Sequence, residues 1–180
     1  IRDPRNVITS LKNHYELNDD TALKWMLNEN NYIYDVSKFK EDGYSDFQFI
    51  SSWNTNFKSW RLQKKISIKI IKYEDLLNNT YSVFKEVVEF INKTIKNNEK
   101  INKNKMKNSV NSTFFDKLKD NEKKNGFSEA VTSKTDQKKI PFFHLGPNNN
   151  WRKLLDKELQ KKMTNEFKET ITELGYDYSN

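Results

Sequence analysis

One seven-residue run, Ile66-Ser67-Ile68-Lys69-Ile70-Ile71-Lys72, carries the signature of a strand: short, β-branched and closed by a turn. Nearly everything else in the chain patterns as helix or loop. A lone buried strand cannot satisfy its own N–H and C=O groups, and an independent sheet takes three or more strands or equivalent cover. Ile1, immediately ahead of a helix start, reads as the last residue of a second strand. The expectation is therefore an α/β fold, seen as a mostly helical portion with few strands, whose sheet is completed by something outside the 180 residues.

The helix start after Ile1 is well marked. Asp3 is a good N-cap, and Pro4 stands at the first helical position, where its missing N–H costs nothing. Val7, Leu11 and Tyr15, with Ile8 beside them, make one apolar face. Arg2, Asn6 and Ser10 form a polar stripe at spacing four. A guanidinium, a hydroxyl and free helix amides on one edge suit a phosphate dianion; the same residues also read as an ordinary capped helix with a solvated face.

Further along, the periodicity predicts a helix over about Asp20–Asn30, with Leu23, Met26 and Leu27 on one side. Residues 31–44 read as a loop with a short extended piece at Tyr32–Tyr34. Ser45–Leu62 reads as a helix, with Trp53 and Trp60 on one buried face. Thr80–Ile95 predicts an amphipathic helix packed on the sheet. The Lys/Asn-rich stretch 96–111 reads as a solvated helix end or linker. Asn111–Leu118 opens a helix at a Ser/Thr cap, and 119–139 reads as a mobile loop. A stripe of Leu159, Met163, Phe167, Ile171 and Leu174 predicts a last helix over about Asp156–Leu174, with Gly175 as its C-terminal cap. There are no internal repeats.

Composition narrows the classes. Hydrophobic residues are 34% and mean hydropathy is −0.99, but aromatics at 13% argue for a core built from few, large side chains rather than disorder. The net charge of +7 comes from lysines scattered beside Asn and Glu, which suits a solvated surface at least as well as a nucleic-acid footprint. With no Cys there is no disulfide framework or thiol chemistry, and two histidines are too few for a zinc site. No apolar run reaches a membrane span and no signal peptide is visible, so the default compartment is the cytosol. The chain starts at Ile1 without an initiator Met, as a chain beginning inside a longer protein would.

Four segments, in order, resemble the PAPS-dependent sulfotransferase family. Ile1–Ser10 is similar to its 3′-phosphate-binding segment, in which an Arg at a strand end and a Ser eight residues later hold the 3′-phosphate of 3′-phosphoadenosine 5′-phosphosulfate (PAPS). Those positions fall on Arg2 and Ser10. Ile71-Lys72-Tyr73-Glu74-Asp75-Leu76 resembles the family's Tyr-Glu-Asp segment, whose Tyr lies against the adenine, and Ser52-Trp53 with Trp60 resembles the helix that precedes it. Without the family, Tyr73 reads equally as a Tyr packed at a strand end. Asn111–Leu118 is similar to the segment near the adenine, with Thr113 and Phe115 on the family positions; the local alternative is a capped helix with one buried Phe. Phe142–Trp151 resembles the family's Phe-x-Arg-Lys-Gly…Trp segment. Gly146 and Trp151 match, but His144 and Leu145 stand where the family has Arg-Lys. Gly175-Tyr176 closes the segment as in many bacterial-type members.

The resemblance implies a P-loop-type sulfotransferase fold, a parallel sheet flanked by helices, with residues 1–180 as the C-terminal portion of a single domain. It implies transfer of a sulfuryl group from PAPS to a hydroxyl or amine acceptor, this portion supplying contacts to the 3′-phosphate and adenine of PAPS or its product 3′,5′-ADP. Arg2, Ser10, Tyr73, Thr113, Phe115, His144 and Gly146 are the nucleotide-binding candidates. The family's phosphate loop with its Lys, and its catalytic His, do not occur here: His14 and His144 lie in the wrong segments, and His14 reads as a helix-surface residue. The implied partners are the nucleotide donor and an unspecified acceptor, with no nucleic acid, metal or transmembrane segment. Composition also leaves open a basic nucleic-acid-binding domain and a nucleotide kinase-like fragment.

Overall fold

The chain turns helical at Asp3. The computed structural model describes residues 1–34, 36–44 and 46–178. Helix α1 (Pro4–Tyr15) starts with the Asp3 side chain accepting from the Arg5 amide at 2.9 Å, as the cap and proline predict. Asn18 caps α2 (Asp19–Leu27) through the Thr21 amide. Strand β1 (Tyr32–Ile33) follows, then α3 (Val36–Asp42), a helix where a loop is expected. Strand β2 (Gln48–Phe49) pairs antiparallel with β1.

Helix α4 (Trp53–Arg61) is shorter than its apolar period suggests. Ser45, its expected start, lies outside the described residues. Phe49 is in the ribbon, and the helix begins after Ser52, whose hydroxyl accepts from the Thr55 amide at 3.2 Å. A local cap here overrides the periodicity. Trp53 packs on Phe57 and Phe167, whereas Trp60 is exposed.

The strand expected over 66–72 is not formed: Ile66 lies in a bend and no continuous ladder runs along the segment. Its pairing is one rung: the Ile1 nitrogen donates to the Ile71 carbonyl at 2.5 Å, and the Tyr73 amide donates to the Ile1 carbonyl at 2.7 Å. Donation to the residue before Lys72 and from the residue after it is the parallel pattern. The rung ends where Asp3 turns the chain into α1. Tyr73 then opens α5 (Tyr73–Asn78), and α6 (Thr80–Thr94) follows over nearly its predicted length. The expected burial of α6 on a sheet is not seen: Val83, Phe84, Val87 and Val88 are half-buried, and Ile91 and Ile95 are exposed.

The Lys/Asn-rich stretch expected as a solvated helix end or linker holds α7 (Lys103–Ser112), with Met106 and Val110 buried. Ser112 and Thr113 do not cap the next helix. Thr113 closes α7, its hydroxyl bonding back to the Ser109 and Val110 carbonyls at 3.1 Å, and α8 (Phe115–Asn125) starts without a side-chain cap. The expected loop over 119–139 is thus helical in its first third. Beyond α8, Thr132 and Lys139 form a bridge, and buried Ser133 donates to Glu16 at 2.8 Å.

A 3-10 turn (Gly146–Asn148) leads into α9 (Trp151–Leu154), α10 (Lys157–Glu166) and α11 (Lys168–Glu173). The predicted final helix is broken at Phe167, where φ and ψ of −105° and 14° leave helical geometry. Its stripe nevertheless faces inward throughout: Leu159, Met163, Phe167, Ile171 and Leu174 are buried. After α11, Gly175 takes φ +66° and the Tyr176 amide reaches the Ile171 carbonyl, so a glycine-dependent C-cap ends the helix.

The core lies where this stripe meets Ile8, Ala22, Met26, Trp151 and Leu155. Each large side chain fully buried there contributes about 1.5–3 kcal/mol. A charge shares this core. Arg5 is completely buried; its Nε and a terminal nitrogen bond the Asp3 carboxylate at 3.0 and 2.8 Å, and it also donates to the Asp177 carbonyl at 2.7 Å. Its guanidinium carbon lies 4.0 Å from the Trp151 ring centroid. Among the described residues, no helix is long and apolar enough to cross a membrane.

Candidate functional site

Arg2, at the end of the Ile1 rung, and Tyr73, just beyond the opposing segment, face each other because that rung sets the two backbones side by side. The Arg2 guanidinium carbon lies 4.1 Å from the Tyr73 ring centroid, a cation–π contact. A terminal nitrogen of Arg2 reaches the Gly146 carbonyl at 3.4 Å. Its Nε is buried with no hydrogen-bond partner among the described residues. A buried donor without a partner is costly unless a ligand meets it.

These residues open onto a cleft of about 1070 Å³. All seven residues singled out from the sequence line it: Arg2, Ser10, Tyr73, Thr113, Phe115, His144 and Gly146. They arrive from four separate segments. α1 supplies one wall with Val7, Leu11 and Ser10, and the start of α8 supplies Phe115.

The wall formed by residues 142–146 is fastened from two sides. On one, the Glu122 carboxylate of α8 accepts the amides of Phe142 and Phe143 at 2.7 and 3.0 Å. On the other, the Trp151 amide donates to the Asn6 side chain at 2.9 Å, and Asn149 bonds to α1. Between them Gly146, at φ +51°, packs so closely on the Phe115 ring that a Cβ there would overlap it. Phe115 also meets Phe143 edge-on, and Phe142, Phe143 and Phe127 form an aromatic cluster behind the wall.

Several expectations are corrected by this geometry. The first-turn amides of α1 are not free for an anion: Arg5 donates to the Asp3 carboxylate, and Asn6 and Val7 donate to the Asp3 carbonyl. Asn6 leaves the polar stripe, because its side chain holds the Trp151 amide. His14 is no plain surface residue. It lines the cleft, half-buried, with its ring edge-on to Tyr15 and Phe142, and burial holds its pKa below the ordinary histidine value against a raising effect of Glu129. The Thr113 hydroxyl is directed back into α7, so Thr113 offers its edge rather than a donor. His144 is exposed at the rim and Leu145 brings no charge.

Glu122, Asn149 and Arg5 are structural parts of the site that the sequence reading does not single out. Glu122 sits in a run of charged residues and nothing local distinguishes it. Asn149 is one of three consecutive asparagines, and only the adjoining Trp151 marks it as close to packed structure.

The cleft thus offers a cation with an unpaired donor, a serine hydroxyl and two aromatic faces. A guanidinium with a free donor beside a hydroxyl suits an anion, and the aromatic faces suit a flat apolar group. The sulfotransferase domain family matches residues 1–175. The luciferin sulfotransferase of Photinus pyralis is 24% identical over 177 residues, covering 96% of this chain and 43% of that protein. The chain therefore spans under half the length of the curated relative it matches.

Proposed function

The chain belongs to the sulfotransferase domain family, and on that footing we propose that its cleft binds the 3′-phosphoadenosine end of PAPS within a P-loop-type fold. The protein would then transfer a sulfuryl group from PAPS to a hydroxyl or amine acceptor. The observation that carries this reading is the convergence of Arg2, Ser10, Tyr73 and Phe115 from distant segments onto one cleft, with the Arg2 Nε unpaired.

In this reading Arg2 and the Ser10 hydroxyl take the 3′-phosphate. Tyr73 and Phe115 bracket the adenine, and Thr113 and Gly146 shape the edges. PAPS supplies the sulfuryl group and a good leaving phosphate. These residues contribute binding and orientation, holding the donor so that its far end meets an acceptor in line. Arg2 carries most of the charge recognition, since His144 and Leu145 replace the cationic pair of the family motif.

The test is selectivity between 3′,5′-ADP and 5′-ADP, measured by calorimetry. The expected result is a clear preference for 3′,5′-ADP that Arg2→Ala largely erases, at about 2–3 kcal/mol for a charge-assisted contact. Equal affinities in the unaltered protein would overturn the assignment.

A further inference from the structure

Ser10 lines the cleft from α1, and its usefulness to an anion depends on where its single proton points. A serine inside a helix ordinarily turns its proton back to the carbonyl four residues earlier, which for Ser10 is that of Asn6. Here that carbonyl already accepts from the Asn149 side-chain amide at 3.0 Å. The same amide nitrogen donates its second proton to the Ser10 hydroxyl oxygen at 3.2 Å. The orientation of this amide is settled by its partners. A backbone carbonyl can only accept, so nitrogen must face Asn6, and the Asn149 oxygen then faces the Thr9 hydroxyl at 2.7 Å, whose proton it shares with the Asn6 carbonyl at the same distance. Asn149 is buried at 6% exposure and its bond to Thr9 is buried with it, whereas Ser10 itself is exposed to the cleft.

Building on the nucleotide reading above, we propose that Asn149 is a positioning residue that makes Ser10 a hydrogen-bond donor to the phosphate monoester. It occupies a lone pair of the Ser10 oxygen and the carbonyl that would otherwise attract the Ser10 proton. The proton is left to face the cleft, where an acceptor-only phosphate oxygen meets it. Asn149 touches no ligand itself. Its effect on the phosphate passes through Ser10.

The experiment measures the ratio of affinities for 3′,5′-ADP and 5′-ADP in the unaltered protein, Arg2→Ala, Ser10→Ala, Asn149→Ala and the Ser10→Ala/Asn149→Ala double variant. Asn149→Ala is expected to lower the ratio about five- to tenfold, as Ser10→Ala does, with the double variant no worse than either and 5′-ADP affinity unchanged. If Asn149→Ala does not melt cooperatively, Asn149→Leu replaces it. That variant keeps the bulk without adding charge but removes both amide donors, so the same loss is expected. A ratio unchanged in the folded Asn149 variant, or losses that add in the double variant, overturns the role of Asn149. A preference that Arg2→Ala abolishes while Asn149 variants retain it refutes this inference alone. Absence of any preference in the unaltered protein refutes the nucleotide reading beneath it.

Discussion

The guanidinium carbon of Arg2 stands 4.1 Å from the centroid of the Tyr73 ring, across a backbone rung made by Ile1 with Ile71 and Tyr73. The ring thereby holds the cation in place and presents its remaining surface to the cleft. Two residues 71 positions apart in sequence become neighbours on the cleft, and the backbones that carry them are set side by side by main-chain hydrogen bonds.

Tyr73→Phe keeps the ring and its contact with Arg2, so nucleotide affinity should change little. Tyr73→Ala removes both the stacking face and the support of Arg2, and should weaken 3′,5′-ADP binding by roughly 1 kcal/mol or more. Calorimetry on the two variants, with melting curves alongside, checks it. A Tyr73→Ala protein of lowered stability and undiminished affinity would assign Tyr73 to packing.

Gly146→Ala should destabilise the wall of the cleft. The added methyl overlaps the Phe115 ring, and φ +51° is strained for alanine as well. Overpacking of this kind costs about 1–3 kcal/mol. Phe115→Ala in the same chain opens the space, so thermal melts of the two single variants and the double should be non-additive, the double less destabilised than the sum.

Arg5→Ala is expected to cost about 3–5 kcal/mol, the typical result of stranding one partner of a buried pair. Asp3 would lose its partner inside the core while still capping α1. Urea unfolding measures the loss. Arg5→Lys should rescue only part of it, because an ammonium cannot reproduce the paired bonds to Asp3 or lie flat on Trp151.

Alkaline pH should destabilise the protein through Tyr176. Burial, and then the Glu74 carboxylate that accepts its hydrogen bond at 2.9 Å, push the Tyr176 phenol well above its ordinary pKa. Above pH about 10 the unfolded chain loses this proton and the folded chain keeps it, so stability falls as pH rises. Tyr176→Phe should be less stable at pH 8, having lost the bond to Glu74, yet show a shallower fall between pH 9 and 11. Denaturant midpoints at each pH provide the comparison. Parallel slopes would exclude Tyr176 as the source.

The elements readable from the chain alone are those whose cause is local. Asp3-Pro4 starts α1 because a cap and a proline act on the next few amides, and the Leu159–Leu174 stripe faces the core because burial follows helical period. Gly175 ends α11 for the same kind of reason, a left-handed residue needed at one position. Motif resemblance extended this reach to the seven cleft residues.

Tertiary structure decided what no short window contains. Ser52 starts α4 where apolar spacing pointed to an earlier helix, since β1 had already claimed Gln48 and Phe49 as a partner strand. Arg5 is buried because Asp3, Trp151 and the Asp177 carbonyl meet around it. The lysine-rich stretch becomes α7 because Met106 and Val110 find cover. The Ser10 hydroxyl oxygen accepts a hydrogen bond from an asparagine 139 residues away. Each of these outcomes depends on which distant groups arrive to satisfy a buried donor, acceptor or apolar surface, and sequence spacing carries no record of that.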